Sequence, residues 1–197
     1  MTTQEALGQE LSLTWRPGQN LAADLWTTGR PSETNRILLH FPTGEGKTIT
    51  ALMLLRMRDM KSAVIVAPPI THPEWETQAE RFGINLRLMS MVKFRDSATK
   101  LPRDTPVIID EVHELGRYTA VGFKRAKRIS ERLPALILLS ATPEYNSPDR
   151  AYCIDKLMEP VKNKFNYLQW VYRYCETEEN PFATIPYVHG MIGFDSA

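Results

Sequence analysis

The sequence predicts an α/β fold with a mostly parallel central sheet flanked by helices, followed by a helical and irregular C-terminal extension. Up to Pro143, short apolar runs rich in Val, Ile and Leu alternate with amphipathic stretches. The runs show little alternation between apolar and polar residues, as expected of strands that are covered on both faces. A repeated strand, helix, strand order indicates parallel strands joined by right-handed crossovers.

Five runs are predicted as strands and three stretches as helices. The strands cover 36–41, 62–67, 86–92, 106–110 and 135–140, and the helices cover 47–60, 74–82 and 120–132. Beyond Pro143, apolar residues at helical spacing predict a helix that packs on the core; they are Val161, Phe165, Leu168, Tyr172 and Cys175. We therefore predict a core domain over 1–145 and an extension of the same domain over 146–197.

The composition is that of an ordinary globular protein. The chain has 197 residues, 43% hydrophobic and 24% charged, and a net charge of +1, so any nucleic-acid binding must come from a local patch. The first residues lack a basic segment followed by an apolar core, and no apolar run is long enough to span a membrane. Two cysteines without a Cys-x-x-Cys pair fit a reducing compartment. We expect a cytoplasmic location, with the nucleus as an alternative.

The segment PTGEGKT, after the first predicted strand, fits a phosphate-binding loop. The general pattern is Gly, four free residues, then Gly-Lys-Ser/Thr, and here Phe41 stands in place of the first glycine. Lys47 can reach the β and γ phosphates, and the Thr48 hydroxyl can bind Mg²⁺. The alternative is a chance Gly-x-Gly turn between strand and helix. We predict that a nucleoside triphosphate binds here, on Pro42, Thr43, Gly44, Glu45, Gly46, Lys47 and Thr48.

Two adjacent carboxylates, Asp110 and Glu111, follow the fourth predicted strand in the segment PVIIDEVHEL. In a parallel sheet they would lie at the same edge as the phosphate loop. Asp110 would then hold Mg²⁺ through its water shell, and Glu111 would polarise the attacking water. The alternative is an acidic helix start that interacts with the helix dipole.

Three motifs in order, PTGEGKT, DEVH and SAT, resemble the first RecA-like domain of superfamily-two helicases and translocases of the DEAH/DExH type. The resemblance implies a RecA-like ATP-binding domain over 1–145, with ATP and Mg²⁺ as cofactors. It implies that Lys47 and Asp110 take part in catalysis, that Asp110 and Thr48 hold magnesium, and that Glu111 is the general base. The residues implied to couple hydrolysis to movement are His113, Ser140, Ala141 and Thr142.

Two further segments extend the resemblance. WRPGQ is similar to the family's adenine-reading segment, which implies a nucleotide contact from Arg16 and Gln19; the alternative is a solvated turn around Pro17 and Gly18. SATPEYNSPDRAY and WVYRYC resemble the Snf-type translocase branch. That branch tracks duplex DNA, so DNA is favoured over RNA as the partner.

The resemblance also implies nucleic-acid contacts after the second and third strands. The candidate phosphate partners are Pro68, Thr71, Ser90, Lys93 and Arg95; for each of them the alternative is an ordinary strand-end loop. The basic stretch FKRAKRISERL is interpreted as a solvated helix face, and Trp75 as a packing residue.

Family members complete their site with a second RecA-like domain, whose Gln-x-x-Gly-Arg-x-x-Arg type signature is not found in this sequence. The leading hypothesis is therefore the N-terminal half of a nucleic-acid-dependent ATPase, with the second domain on another chain or in a longer parent protein. One alternative is a nucleotide-dependent nucleic-acid-binding module with little turnover. Another is an ATPase completed in trans by self-association, with Arg117 or Arg125 as the arginine supplied. No membrane partner is expected.

Overall fold

A five-stranded parallel sheet forms the centre of the fold in the computed structural model, which describes residues 3–28, 35–97, 100–141, 147–158, 165–178 and 187–191. The strands are β1 (Asn35–His40), β2 (Ser62–Val66), β3 (Asn85–Met89), β4 (Val107–Ile109) and β5 (Ala135–Ser140). They lie in the order β1-β5-β4-β2-β3, and every neighbouring pair is parallel. The predicted fold class is confirmed.

Successive residues of the central strands point to opposite faces of the sheet, and both faces are buried. In β5, Leu136 and Leu138 join one apolar cluster, whereas Ile137 and Leu139 join the other. The same division holds in β4, where Ile108 faces away from its two neighbours in the strand. This burial on both sides explains why the strands read as continuous apolar runs.

Helices cover each face of the sheet. One face carries α1 (Thr3–Leu11), α2 (Pro17–Thr28), α3 (Lys47–Met57) and α4 (His72–Arg81); the other carries α5 (Met91–Ser97), α6 (Val121–Ser130), α7 (Pro148–Met158) and α8 (Tyr167–Tyr174). The centre of α3, from Ala51 to Leu55, is fully buried, because this helix is apolar on all sides. None of the helices in the described parts of the chain is long and apolar enough to cross a membrane.

The C-terminal extension shares its core with the sheet. The Tyr152 ring of α7 lies 5.8 Å from the Trp170 ring of α8, and both side chains belong to the cluster beneath β4 and β5. Beyond α8, β6 (Cys175–Glu178) pairs with β7 (Tyr187–Met191) in an antiparallel hairpin. The boundary at residue 145 stays a prediction.

Two predicted elements end three residues earlier in the structure than the sequence indicated. The third strand was predicted over 86–92 but ends at Met89, because the Ser90 hydroxyl accepts from the Lys93 N–H and α5 begins. The first helix after the phosphate loop was predicted over 47–60 but ends at Met57. Asp59 has a φ of +53°, a left-handed conformation that cannot continue a helix.

The predicted C-terminal apolar stripe is wrong in three of its members. Phe165 precedes α8 and Cys175 begins β6, so neither is helical, although both pack on the core. Tyr172 is 61% exposed, and the buried side of α8 is instead formed by Trp170 and Val171. Helix α8 begins only at Tyr167, where Asn166 and Gln169 form a reciprocal capping box. Val161 of the stripe lies outside the described residues.

Candidate active site

The segment from Pro42 to Gly46 turns between β1 and α3 in the way that a phosphate-binding loop requires. Gly44 and Gly46 have φ values of +82° and +80°, which glycine adopts without strain. Lys47 is the first residue of α3 and Thr48 the second, so the first N–H groups of the helix follow directly on the loop. The Lys47 ammonium donates to the carbonyls of Phe41 and Pro42, at 2.8 and 3.2 Å.

Phe41, which replaces the first glycine of the pattern, lies before the turn rather than in it. Its ring borders Gly18, where an added Cβ would be 3.4 Å from the ring. Phe41 is also one wall of a pocket of about 200 Å³ beside the loop; the lining residues are Arg16, Gly18, Gln19, Phe41, Pro42 and Glu45. The replacement therefore shapes a pocket next to the loop and leaves the turn intact.

Helix α2 ties the predicted adenine-reading residues to the phosphate loop. The segment is not a turn, because Pro17 is the first residue of α2. Gln19 is 5% exposed; its Oε1 accepts from the Arg16 N–H (2.8 Å) and its Nε2 donates to Thr50 Oγ1 (3.1 Å). The guanidinium of Arg16 lies 2.6 Å from Glu45 Oε2, at the edge of the pocket.

Asp110 directly follows β4, and both of its carboxylate oxygens accept hydrogen bonds. Oδ1 accepts from the backbone N–H of Glu111 (3.0 Å), and Oδ2 accepts from the indole N–H of Trp75 (3.2 Å). Burial raises the pKa of Asp110 above its usual value, and the negative charge of Glu111 acts in the same direction. The hydrogen bond from Trp75 and the charge of Lys47 lower that pKa.

Glu111 stands in a left-handed backbone conformation, with a φ of +53°. It precedes a 3₁₀ turn over Val112–Leu115. His113 Nδ1 lies 3.3 Å from Glu111 Oε2, which is close enough for an electrostatic contact although it is not aligned as a hydrogen bond. A glutamate in this conformation is uncommon, and such residues cluster at functional sites.

The strand order brings the motifs to one edge of the sheet. β5 lies between β1, which leads into the phosphate loop, and β4, which leads into Asp110. Ser140, the last residue of β5, is in register with His40 and is fully buried, and its hydroxyl has no hydrogen-bond partner among the described residues. Ala141 follows it, half-buried; Thr142 lies outside the described residues.

The predicted nucleic-acid contacts follow β2 and β3, which are neighbours, so the two segments lie side by side at the same edge. Lys93 is exposed, whereas Pro68, Thr71 and Ser90 are half-buried. Thr71 Oγ1 donates to the Pro68 carbonyl (2.9 Å), and the Arg95 guanidinium donates to the carbonyl of Glu114 (2.9 Å). Arg95 thus contacts the turn that follows the acidic motif, and its role towards nucleic acid stays a prediction.

The sequence interpretation missed the contact of Trp75 with the acidic motif. Trp75 was interpreted as a packing residue, and it is indeed 1% exposed. Its hydrogen bond to Asp110 spans 35 positions along the chain, and no local pattern signals such a contact.

The side chains here that could hold a divalent metal are Thr48 and Asp110, both oxygen donors. Within the described ranges, no three His, Cys, Asp or Glu side chains are grouped so as to hold a metal ion. Mg²⁺ needs no such group, because it commonly takes one or two carboxylates and completes its octahedron with waters and phosphate oxygens.

Comparison with solved structures supports the fold. No protein-family model and no curated protein matches the sequence. A SWI2/SNF2 ATPase core from Sulfolobus solfataricus, solved in complex with dsDNA, matches with a TM-score of 0.69 at 17% identity. The match covers 82% of this chain and 39% of that one, so this chain spans about two fifths of the solved core.

Proposed function

We propose that this chain is the ATP-binding half of a nucleic-acid-dependent ATPase of the helicase or translocase type. The observation that carries the proposal is the convergence of the phosphate loop and the Asp110–Glu111 pair at one edge of the sheet, on either side of β5. In open α/β sheets, ligands bind in the crevice outside the carboxyl ends of the strands.

The phosphate loop and the pocket beside it would divide the recognition of ATP. The N–H groups at the start of α3 and the Lys47 ammonium would bind the phosphates, after Lys47 exchanges its contacts with the Phe41 and Pro42 carbonyls for phosphate oxygens. The pocket of about 200 Å³ has room for a purine base, with Phe41 as an apolar wall and Gln19 as a polar one. Arg16 would reach the nucleotide from the pocket edge, where it now pairs with Glu45.

Hydrolysis would use the two carboxylates differently. Thr48 and Asp110 fit Mg²⁺, because both offer oxygens and a nearby dication would offset the burial of the Asp110 charge. Bound Mg²⁺ would neutralise charge that develops on the phosphate oxygens. Glu111 would accept the proton of the attacking water. His113, which lies beside Glu111, and Ser140, which lies between the two motifs, would couple this step to movement.

The proposed partners follow from the similarity to the solved SWI2/SNF2 ATPase core. The solved core with the same fold is bound to dsDNA, which favours duplex DNA as the polymer that the segments after β2 and β3 contact. A second RecA-like domain would complete the site, since this chain covers 39% of that core. A binding module with little turnover, and an ATPase completed by self-association, remain as alternatives that experiment separates.

The decisive experiment measures nucleotide binding and steady-state ATP hydrolysis, alone and with duplex DNA, single-stranded DNA or RNA. Lys47→Ala should abolish binding of a fluorescent ATP analogue. Glu111→Gln should keep that binding and lose about 10²–10⁴-fold in any turnover, the usual contribution of a general base. Lys124→Ala, an exposed lysine on α6, is the matched control and should change neither quantity.

The outcomes separate the hypotheses. Micromolar ATP affinity retained in Lys47→Ala would contradict the loop assignment. ATP binding with negligible turnover would favour the binding module, or a half-site that needs its second domain. Stimulated turnover that is lost when Arg117 or Arg125 is substituted, and restored by mixing with Glu111→Gln chains, would instead support completion in trans.

A further inference from the structure

The carboxylate of Asp110 is held from two sides. The Glu111 N–H binds Oδ1 and belongs to the next peptide of the same chain segment. The Trp75 indole N–H binds Oδ2 and comes from a different element, α4, on one face of the sheet. Because each oxygen is bonded to a separate donor, the plane of the carboxylate is fixed relative to the sheet edge.

This hydrogen bond is not a general requirement of buried indoles in the protein. Trp26 belongs to the same apolar cluster as Trp75 and is equally buried, yet its indole N–H has no hydrogen-bond partner among the described residues. The core therefore tolerates an unpaired indole N–H, and the one on Trp75 is directed at the carboxylate that follows β4.

Helix α4 places Trp75 close to the edge of the sheet at which the strands end. The helix begins at His72, directly after the 3₁₀ turn over Pro69–Thr71. That turn follows β2, at the edge where Asp110 follows the neighbouring β4. Trp75 is thus one turn of helix away from a strand-end segment and in direct contact with the acidic motif.

We propose that Trp75 is a positioning residue for Asp110, whose carboxylate it orients towards the metal-bearing phosphates of the nucleotide. The inference rests on the proposed function, because it assumes that Asp110 acts on a nucleotide-bound divalent cation. Trp75 itself touches neither nucleotide nor metal. Its contribution is confined to the step in which Mg²⁺ strengthens nucleotide binding.

The test compares nucleotide affinity with and without Mg²⁺ in four proteins, using a fluorescent, non-hydrolysable ATP analogue. Trp75→Phe removes the indole N–H and keeps most of the apolar side chain. We expect its affinity in EDTA to equal that of the wild type and its gain on adding Mg²⁺ to fall by about tenfold, the loss expected for a hydrogen bond to a charged group. Asp110→Asn should lose more of the gain than Trp75→Phe does, because Thr48 and the phosphates remain as magnesium ligands.

The fourth protein is Trp170→Phe, which serves as the matched control. Trp170 is as buried as Trp75, and its indole also donates to a carboxylate, that of Asp155 (2.9 Å), far from the site in the α7–α8 layer. It should lose thermal stability as Trp75→Phe does and keep the full Mg²⁺ gain. An unchanged gain in Trp75→Phe, with the gain reduced in Asp110→Asn, would overturn the positioning role alone. A gain kept in both would overturn the role of Asp110 as well, and with it this part of the proposed function.

A second measurement needs no Trp75 variant and covers the case in which Trp75→Phe does not fold. Indole ¹⁵N–¹H signals of the wild type, assigned by substituting the other three tryptophans, should show the Trp75 signal moving on Asp110→Asn and when Mg²⁺ is added to the nucleotide complex. The Trp170 signal should stay in place in both experiments. A Trp75 signal insensitive to either change would refute the proposal.

Discussion

Replacing Gly46 by alanine should destabilise the protein more than the same change at Gly44. Both glycines have a left-handed backbone conformation, so an alanine at either position costs about 1–2 kcal/mol. A Cβ at Gly44 meets no atom within 4 Å, whereas at Gly46 it would lie 3.0 Å from Gln19 Nε2. Moving Nε2 would break its hydrogen bond to Thr50, at about 1 kcal/mol. We expect losses of about 1–2 kcal/mol for Gly44→Ala and about 2–3 kcal/mol for Gly46→Ala.

Urea unfolding of both variants, each with and without Gln19→Ala, measures the two terms separately. The Gly44→Ala cost should be nearly the same in both backgrounds, because a Cβ at Gly44 meets no atom of Gln19; the two residues are linked only through Arg16, whose side chain donates to the Gly44 carbonyl and whose N–H donates to Gln19 Oε1. The excess cost of Gly46→Ala should disappear once Gln19 is removed. Equal losses at the two glycines, or an excess cost of Gly46→Ala that persists without Gln19, would refute the inference that the Gln19 side chain packs against Gly46 of the phosphate loop.

Two further predictions concern the core. Arg36→Met should lower the free energy of unfolding by about 2–4 kcal/mol, because the Arg36 guanidinium donates to the carbonyls of Ser130 and Leu157 and their buried oxygens would lose a partner. As a control, Arg87→Met at an exposed position of β3 should cost under about 0.5 kcal/mol in the same denaturation assay, and a similar loss in both variants would contradict the role of Arg36. Burial raises the pKa of Cys153 from 9.0 to about 12, so between these pH values the unfolded chain has released a proton that the native state keeps, and stability falls as the pH rises. Cys153→Ala should flatten that fall in unfolding curves from pH 8.5 upward, and an unchanged slope would count against it.

The parts of the site that could be predicted are those whose geometry depends on consecutive residues. Gly44 and Gly46 permit the turn of the loop whatever the rest of the chain does, and Asp110 follows a run that could only be a buried strand. The boundary at Ser90 could not be predicted in the same way. Met91 and Val92 fit a strand and a helix equally well, and a capping contact from a single hydroxyl favours the helix.

The two N-terminal helices were missed for a related reason. The apolar residues of α2 are not confined to its buried face: Ala22 and Trp26 are buried against the α3 layer, while Leu21 and Leu25 remain exposed. Short helices of this kind are marginal in isolation. The alternative of a solvated turn around Pro17 and Gly18 is therefore wrong, because both residues and Gln19 lie in α2.

The order of the strands in the sheet shows which motifs are neighbours, and the order of the motifs along the chain could not show this. Parallel strands place all carboxyl ends at one edge, so the motifs were expected to be near each other, but the rule does not say which strands are neighbours. With β5 inserted between β1 and β4, Ser140 stands between the phosphate loop and Asp110, and its buried hydroxyl lacks a partner among the described residues. A buried hydroxyl without a partner costs about 1–3 kcal/mol, so a rearrangement of the site that supplied a partner would be favoured by about that amount. The coupling role that the resemblance implies for Ser140 predicts such a rearrangement when nucleotide binds.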